Sequence, residues 1–71
     1  MAEEIRAPLA GKVIQISVSP GDQVQEDDEV LVMEAMKMET PVYAPASGTV
    51  KEVKVKKDDA VEEDDLLAVI E

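Results

Sequence analysis

A gapless internal duplication constrains this chain more than any other feature. Shifted by 37 residues, 7-APLAGKVIQISVSPGDQVQEDDEVLVME-34 lies over 44-APASGTVKEVKVKKDDAVEEDDLLAVIE-71, and twelve of the 28 pairs are identical. So biased a composition gives roughly two or three matches by chance. The matches include Ala7/Ala44, Pro8/Pro45, Gly11/Gly48, Val13/Val50, Asp22/Asp59 and Val24/Val61. Two copies are too few for a solenoid. The prediction is two copies of one structural unit related by a pseudo-twofold.

Each copy resolves into the same β parts. Ala-Pro opens it, since proline starts or edges a strand but cannot sit mid-ladder. Gly11 and Gly48 predict a tight bend or bulge before the strands 12-KVIQISV-18 and 49-TVKEVKV-55. Within those strands Ile14, Ile16 and Val18, and Val53 and Val55, alternate with Gln15, Ser17, Glu52 and Lys54, which are expected to face out. Pro20-Gly21 suits the centre of a type II turn, and Asp58 takes the glycine's place in the second copy. Short segments around Val24 and Val61 lead through acidic EDD turns, read as solubilising, into 29-EVLVM-33 and 66-LLAVI-70. Those nearly continuous apolar runs predict strands buried on both faces. The fold class is therefore all-β: two four-stranded antiparallel sheets closed into a sandwich or flattened barrel, which leaves little free edge.

Composition narrows the chemistry. The chain is 45% hydrophobic and 34% charged, with no Cys, His, Trp or Phe and one Tyr, so its core is aliphatic and unstapled by disulfides. A net charge of −10 argues against nucleic acid or an anionic membrane surface as partner, and no apolar run approaches a membrane span. Without Cys or His the usual zinc, iron–sulfur, thiol-redox and Ser/His sites are absent. The EDD turns have no calcium-ligand spacing. No catalytic residue and no metal site is predicted.

Between the copies lies 34-EAMKMET-40. Ala, Met, Lys and Glu are good helix formers, yet the antiparallel plan makes this joint a hairpin tip with Lys37 at its apex. The twofold maps Glu34 onto Glu71 and Met38 onto Met1, which places the two termini together at the end away from Lys37. A group hung on Lys37 is then presented clear of any parent subunit. Met36 and Met38 admit two roles, core packing or soft exposed contact surface. Glu34 and Glu39 are either ordinary solvated flanks or a frame read by a partner.

Glu34-Ala35-Met36-Lys37-Met38-Glu39-Thr40 resembles the attachment signature of the biotinyl, or biotin carboxyl carrier, domains. The likeness runs from the APLAG opening to the closing LLAVIE, with the motif midway between two β repeats. It implies one biotinyl domain over residues 1–71, with copies 7–34 and 44–71 joined by a hairpin at 35–40. Biotin would be amide-linked to Lys37 by a biotin protein ligase, with Glu34, Ala35, Met36, Met38 and Glu39 as the recognition flank. The domain would carry a carboxyl group as carboxybiotin between a biotin carboxylase and a carboxyltransferase or decarboxylase subunit, without being an enzyme itself. An arm of about eleven bonds reaches roughly 14 Å. The setting implied is cytoplasmic, or the mitochondrial matrix for a eukaryotic carboxylase, with no membrane insertion. Met1 opening the repeat directly suggests a very compact subunit or a trimmed piece of one.

The chain departs from the resemblance at Asp27, Asp58 and Asp64, where common members carry Gly. The ungapped repeat also leaves no room for the protruding insert of some bacterial acetyl-CoA carboxylase carriers. Two other readings stand beside it. One is a lipoyl carrier domain of a 2-oxo acid dehydrogenase complex, whose lysine is typically flanked by Asp and Ala. The other is an unmodified β-sandwich interaction module, like the hairpin-type domain of export adaptors.

Overall fold

In the computed structural model, which describes residues 2–71, the chain forms eight strands: β1 (Glu3–Arg6), β2 (Gly11–Ile16), β3 (Gln23–Val24), β4 (Glu29–Ala35), β5 (Met38–Tyr43), β6 (Gly48–Val53), β7 (Ala60–Val61) and β8 (Leu66–Ile70). Among the described residues there is no helix, hence none long and apolar enough to cross a membrane. Two four-stranded antiparallel sheets form, in the orders β1-β8-β6-β3 and β5-β4-β2-β7. Adding 37 to the residue numbers turns the first four strands into the last four and one sheet order into the other. Register follows the same operation: Val13 faces Met33 and Gln15 faces Val32, as Val50 faces Ile70 and Glu52 faces Val69. The mapping of Met38 onto Met1 lies outside the described residues.

The core is aliphatic throughout. Val13, Val30, Leu31, Met33, Val50, Leu67 and Ile70 are fully buried, and no polar or charged side chain is buried among the described residues. Every carboxylate therefore stays in water, which is how so acidic a chain avoids the desolvation cost of buried charge.

The two long strands end two residues earlier than their sequences suggest, at Ile16 and Val53. Their inward faces also differ from simple alternation. A β-bulge shifts the register between Val13 and Gln15, and again between Val50 and Glu52. Because one extra residue is absorbed there, Val13 and Val50 point fully inward while Ile14 is only half-buried. Gly11 and Gly48 are the first residues of their strands and not bends. A Cβ on Gly11 would stand 2.5 Å from the Glu34 carbonyl oxygen, and one on Gly48 2.7 Å from Ile70 Cγ2. Close packing is what these glycines serve.

The acidic turns are structural as well as solubilising. Four four-residue turns, 19–22, 25–28, 56–59 and 62–65, share one design. In each, the fourth residue's N–H bonds the first residue's carbonyl: Asp22 to Ser19, Asp28 to Gln25, Asp59 to Lys56, Asp65 to Glu62. The same aspartate's Oδ2 accepts the first residue's N–H at 2.8–2.9 Å. The third residue has positive φ, being Gly21, Asp27, Asp58 or Asp64, which matches a type II turn. The repeated aspartates are brackets that close the loops.

Candidate functional site

Lys37 owes its position to β4 and β5. Their ladder runs from Glu29↔Tyr43 to Ala35↔Met38, leaving Met36 and Lys37 as a two-residue loop. Both loop residues have positive φ, 54° and 65°. That is the mark of a type I′ hairpin, whose twist matches the flanking strands. Such turns usually take Asn-Gly. A side-chain-bearing residue in this region costs about 1–2 kcal/mol. The cost is met by β4, which buries Val30, Leu31, Met33 and Ala35 and cannot leave the sheet without exposing them. Packing thus overrides the helical preference of the letters. Nothing in Met-Lys announces this turn type; only the repeat locates it.

The hairpin holds its tip side chains out in solvent. Lys37 is exposed, Met36 is 89% exposed and Met38 69%. Core packing is therefore not the role of either methionine, in contrast to the buried Met33. Ala35 is buried beneath the turn. Glu34 and Glu39 face each other across the ladder, both exposed, so two carboxylates stand at the base of the lysine. Such a like-charge pair is unfavourable for the hairpin itself.

Four of the other six cations, Arg6 among them, are held in ion pairs. Lys12 pairs with Asp58 at 3.6 Å and Lys51 with Glu71 at 3.3 Å. Lys54 both donates to and attracts Glu52, holding that carboxyl below its ordinary range. Lys56 and Lys57 are exposed on the 56–59 turn. Among the described residues no ion pair involves Lys37. The arrangement fits a group tethered by an amide outside the body of the protein: an unpaired amine on a firm two-residue turn, flanked by flexible thioethers. An open groove of about 520 Å³ lies between β3 with the turn after it and the start of β6, lined by Gln23, Gln25, Asp28, Ser47 and Thr49 among others. That region packs beside the chain's final residues, since Thr49 and Glu71 exchange backbone hydrogen bonds. Among the described residues no cluster of three or more His, Cys, Asp or Glu is placed to hold a metal ion.

The far end of the molecule carries the last strand's finish. β2 leaves the hairpin level at Lys12↔Glu34 and runs away from it, and the turn that follows meets Val50 through the Gly21 N–H. Val50 faces Ile70, and Ile70 faces Glu3. Glu3 and Ile70 are therefore together, opposite the Lys37 end of a body 32 × 17 × 17 Å in extent.

Known proteins share this plan. The family model for "biotin-requiring enzyme", the biotin/lipoyl attachment family, matches residues 3–70. The "Biotinylated protein TB7.3" of Mycobacterium tuberculosis is 46% identical over 42 residues, 59% of each chain. The "methylmalonyl-CoA carboxyltransferase 1.3S subunit" of Propionibacterium freudenreichii subsp. shermanii is 62% identical over 37 residues, 52% of this chain and 30% of that one. The crystal structure of Kluyveromyces lactis urea carboxylase superposes with a TM-score of 0.93 at 38% identity, covering 99% of this chain and 6% of that one. The chain thus spans a little over half of the first relative and far less of the others. With the family model matched over nearly the whole chain, this chain belongs to the biotin-requiring family of biotin/lipoyl attachment domains.

Proposed function

We propose that residues 1–71 form one biotinyl domain, copies 7–34 and 44–71 joined by the hairpin 35–40, and that Lys37 Nζ is the point of biotin attachment. One observation carries this: an unpaired lysine at the apex of a left-handed two-residue turn, in the middle of a duplicated β scaffold. Once bound, biotin supplies a ring nitrogen that takes up and releases a carboxyl group. The chain's own residues do the rest by placement. Lys37 gives a long unbranched tether. Met36 and Met38 offer adaptable apolar contact to successive enzymes. Glu34 and Glu39 complete the flank that a ligase reads, and Ala35, buried beneath the turn, seats it.

The domain is a carrier and not an enzyme. Its tether turns transfer between two sites into a search at high local concentration. The partners in this reading are a biotin protein ligase, a biotin carboxylase, and a carboxyltransferase or decarboxylase subunit, in the cytoplasm or the mitochondrial matrix. Support for the last partners comes from relatives that are a carboxyltransferase subunit and a urea carboxylase.

The test is intact mass after incubation with biotin protein ligase, ATP and biotin. One biotin per chain is expected, and none on Lys37→Arg, which should melt within a degree or so of the parent because the site is exposed. A lipoate increment from a lipoate ligase in place of biotin would move the chain to the lipoyl carriers. Biotin on the Arg variant would move the attachment to another lysine.

A further inference from the structure

We infer that the outer face of the β5-β4-β2-β7 sheet, around Gln15, Val32, Pro41 and Tyr43, is the docking surface for the biotin protein ligase. The inference rests on the carrier reading above.

Size rules out docking at the tip alone. A specific protein interface takes about 800 Å² from each partner. The body is 17 Å across its short axes, so its end offers on the order of a few hundred Å². An enzyme that holds the tip must therefore extend along one flank. The ligase has the greater need. After attachment the arm reaches roughly 14 Å into an active site, whereas before it only the lysine side chain, about 6 Å, is available. The ligase must bring its active site up to the body itself.

The duplication supplies an internal control for which flank. One row across the β1-β8-β6-β3 sheet reads Glu4–Val69–Glu52. The symmetric row on the other sheet reads Pro41–Val32–Gln15. At the next symmetric pairs, Arg6 becomes Tyr43 and Lys54 becomes Ser17. The first face is therefore tied up in its own ion pairs, Arg6–Glu4 at 2.7 Å and Lys54–Glu52. The second lacks all four charges. Val32 alternates with the core residues Leu31 and Met33 and lies outside the core cluster, so it points to this side of the sheet, where its cross-strand neighbours Pro41 and Gln15 leave it only 9% exposed at the floor of the surface. The three exposed large apolar side chains among the described residues, Met36, Met38 and Tyr43 (52% exposed), all belong to the hairpin and its β5 arm. Between this face and the tip, on the same side of the ladder, stand the cross-strand neighbours Lys12, Glu34 and Glu39. With Glu29 at the other end and Lys12 already paired with Asp58, the rim carries net negative charge, which fits a partner surface apolar at its centre and basic at its edge.

Steady-state biotinylation of the full chain by a biotin protein ligase tests this. The variant Pro41→Glu/Tyr43→Arg installs what β1 already carries in the same register, so the strand accommodates it. KM for the chain is expected to rise about tenfold with kcat little changed. Arg6→Tyr, on the opposite face, is expected to leave both unchanged. Tyr43→Ser, which adds neither charge nor bulk, should raise KM about threefold and serves if the double variant melts early. Unchanged KM in folded Tyr43 variants, with the parent biotinylated normally, overturns the docking face alone. An equal rise in Arg6→Tyr does the same. A parent chain that accepts no biotin overturns the carrier reading and this inference together.

Discussion

Asp27, Asp58 and Asp64 hold φ of 73°, 77° and 71°, at turn positions where Gly21 holds 96°. Aspartate enters this region more readily than most residues because its short side chain bonds locally, but it still has a Cβ. Asp27→Gly and Asp64→Gly should each stabilise the fold by up to about 1 kcal/mol, read from the urea midpoint. Asp58→Gly should gain less, because it also loses the exposed pair with Lys12, worth roughly 0–1 kcal/mol. A loss of stability in the first two would mean that the carboxylates hold those turns more strongly than the backbone strains them. The residue resemblance marks the same three positions as departures from glycine, and the positive φ angles explain why glycine suits them. Met36 and Lys37 bear the same kind of strain for a different reason: a two-residue loop between β4 and β5 demands it of both.

The hairpin and the strand that supports it meet at Gly11, whose missing side chain lets the β4 backbone come close. Gly11→Ala should cost about 1–3 kcal/mol, because the atom in the way is the Glu34 carbonyl oxygen and backbone cannot swing aside. Gly48→Ala should cost a similar amount, since a Cβ there meets the stiff Cγ2 branch of buried Ile70 at 2.7 Å and the Glu71 carbonyl oxygen at 2.9 Å, and paired thermal melts would show the two losses to be comparable. Much at this scale is legible in the sequence. The continuous apolar runs announce β4 and β8, and the ungapped repeat locates Lys37 at a seam. The bulges are not legible, because Ile14 is as apolar as the inward residues beside it and Lys51 as polar as the outward ones. Nor is the bracketing role of Asp22, Asp28, Asp59 and Asp65, since a run of acids in a turn looks the same whether or not its oxygens are engaged. The turn type at Met36-Lys37 is hidden for a related reason: helix-forming letters are overruled by burial that only the assembled sheet provides.

At the scale of the whole molecule, a net charge of −10 is spread over a body only 17 Å wide, with all the carboxylates outside the core. Self-repulsion of this kind opposes the compact state and is screened over about 8 Å at physiological salt. Raising salt from a few millimolar to that level should therefore raise the melting temperature. A gain of 1 kcal/mol corresponds to about 4–8 °C in a chain this short. A flat or falling melt with salt would show that surface pairs such as Lys51–Glu71 outweigh the repulsion. The sheet orders carry one more consequence. Because β1 and β3 complete a sheet with β6 and β8, and β5 and β7 complete the other with β2 and β4, neither half owns a sheet. A nascent chain that has emerged only as far as Lys37 has nothing finished to collapse onto, so the firm seat of that lysine comes into being only when the second half of the chain does.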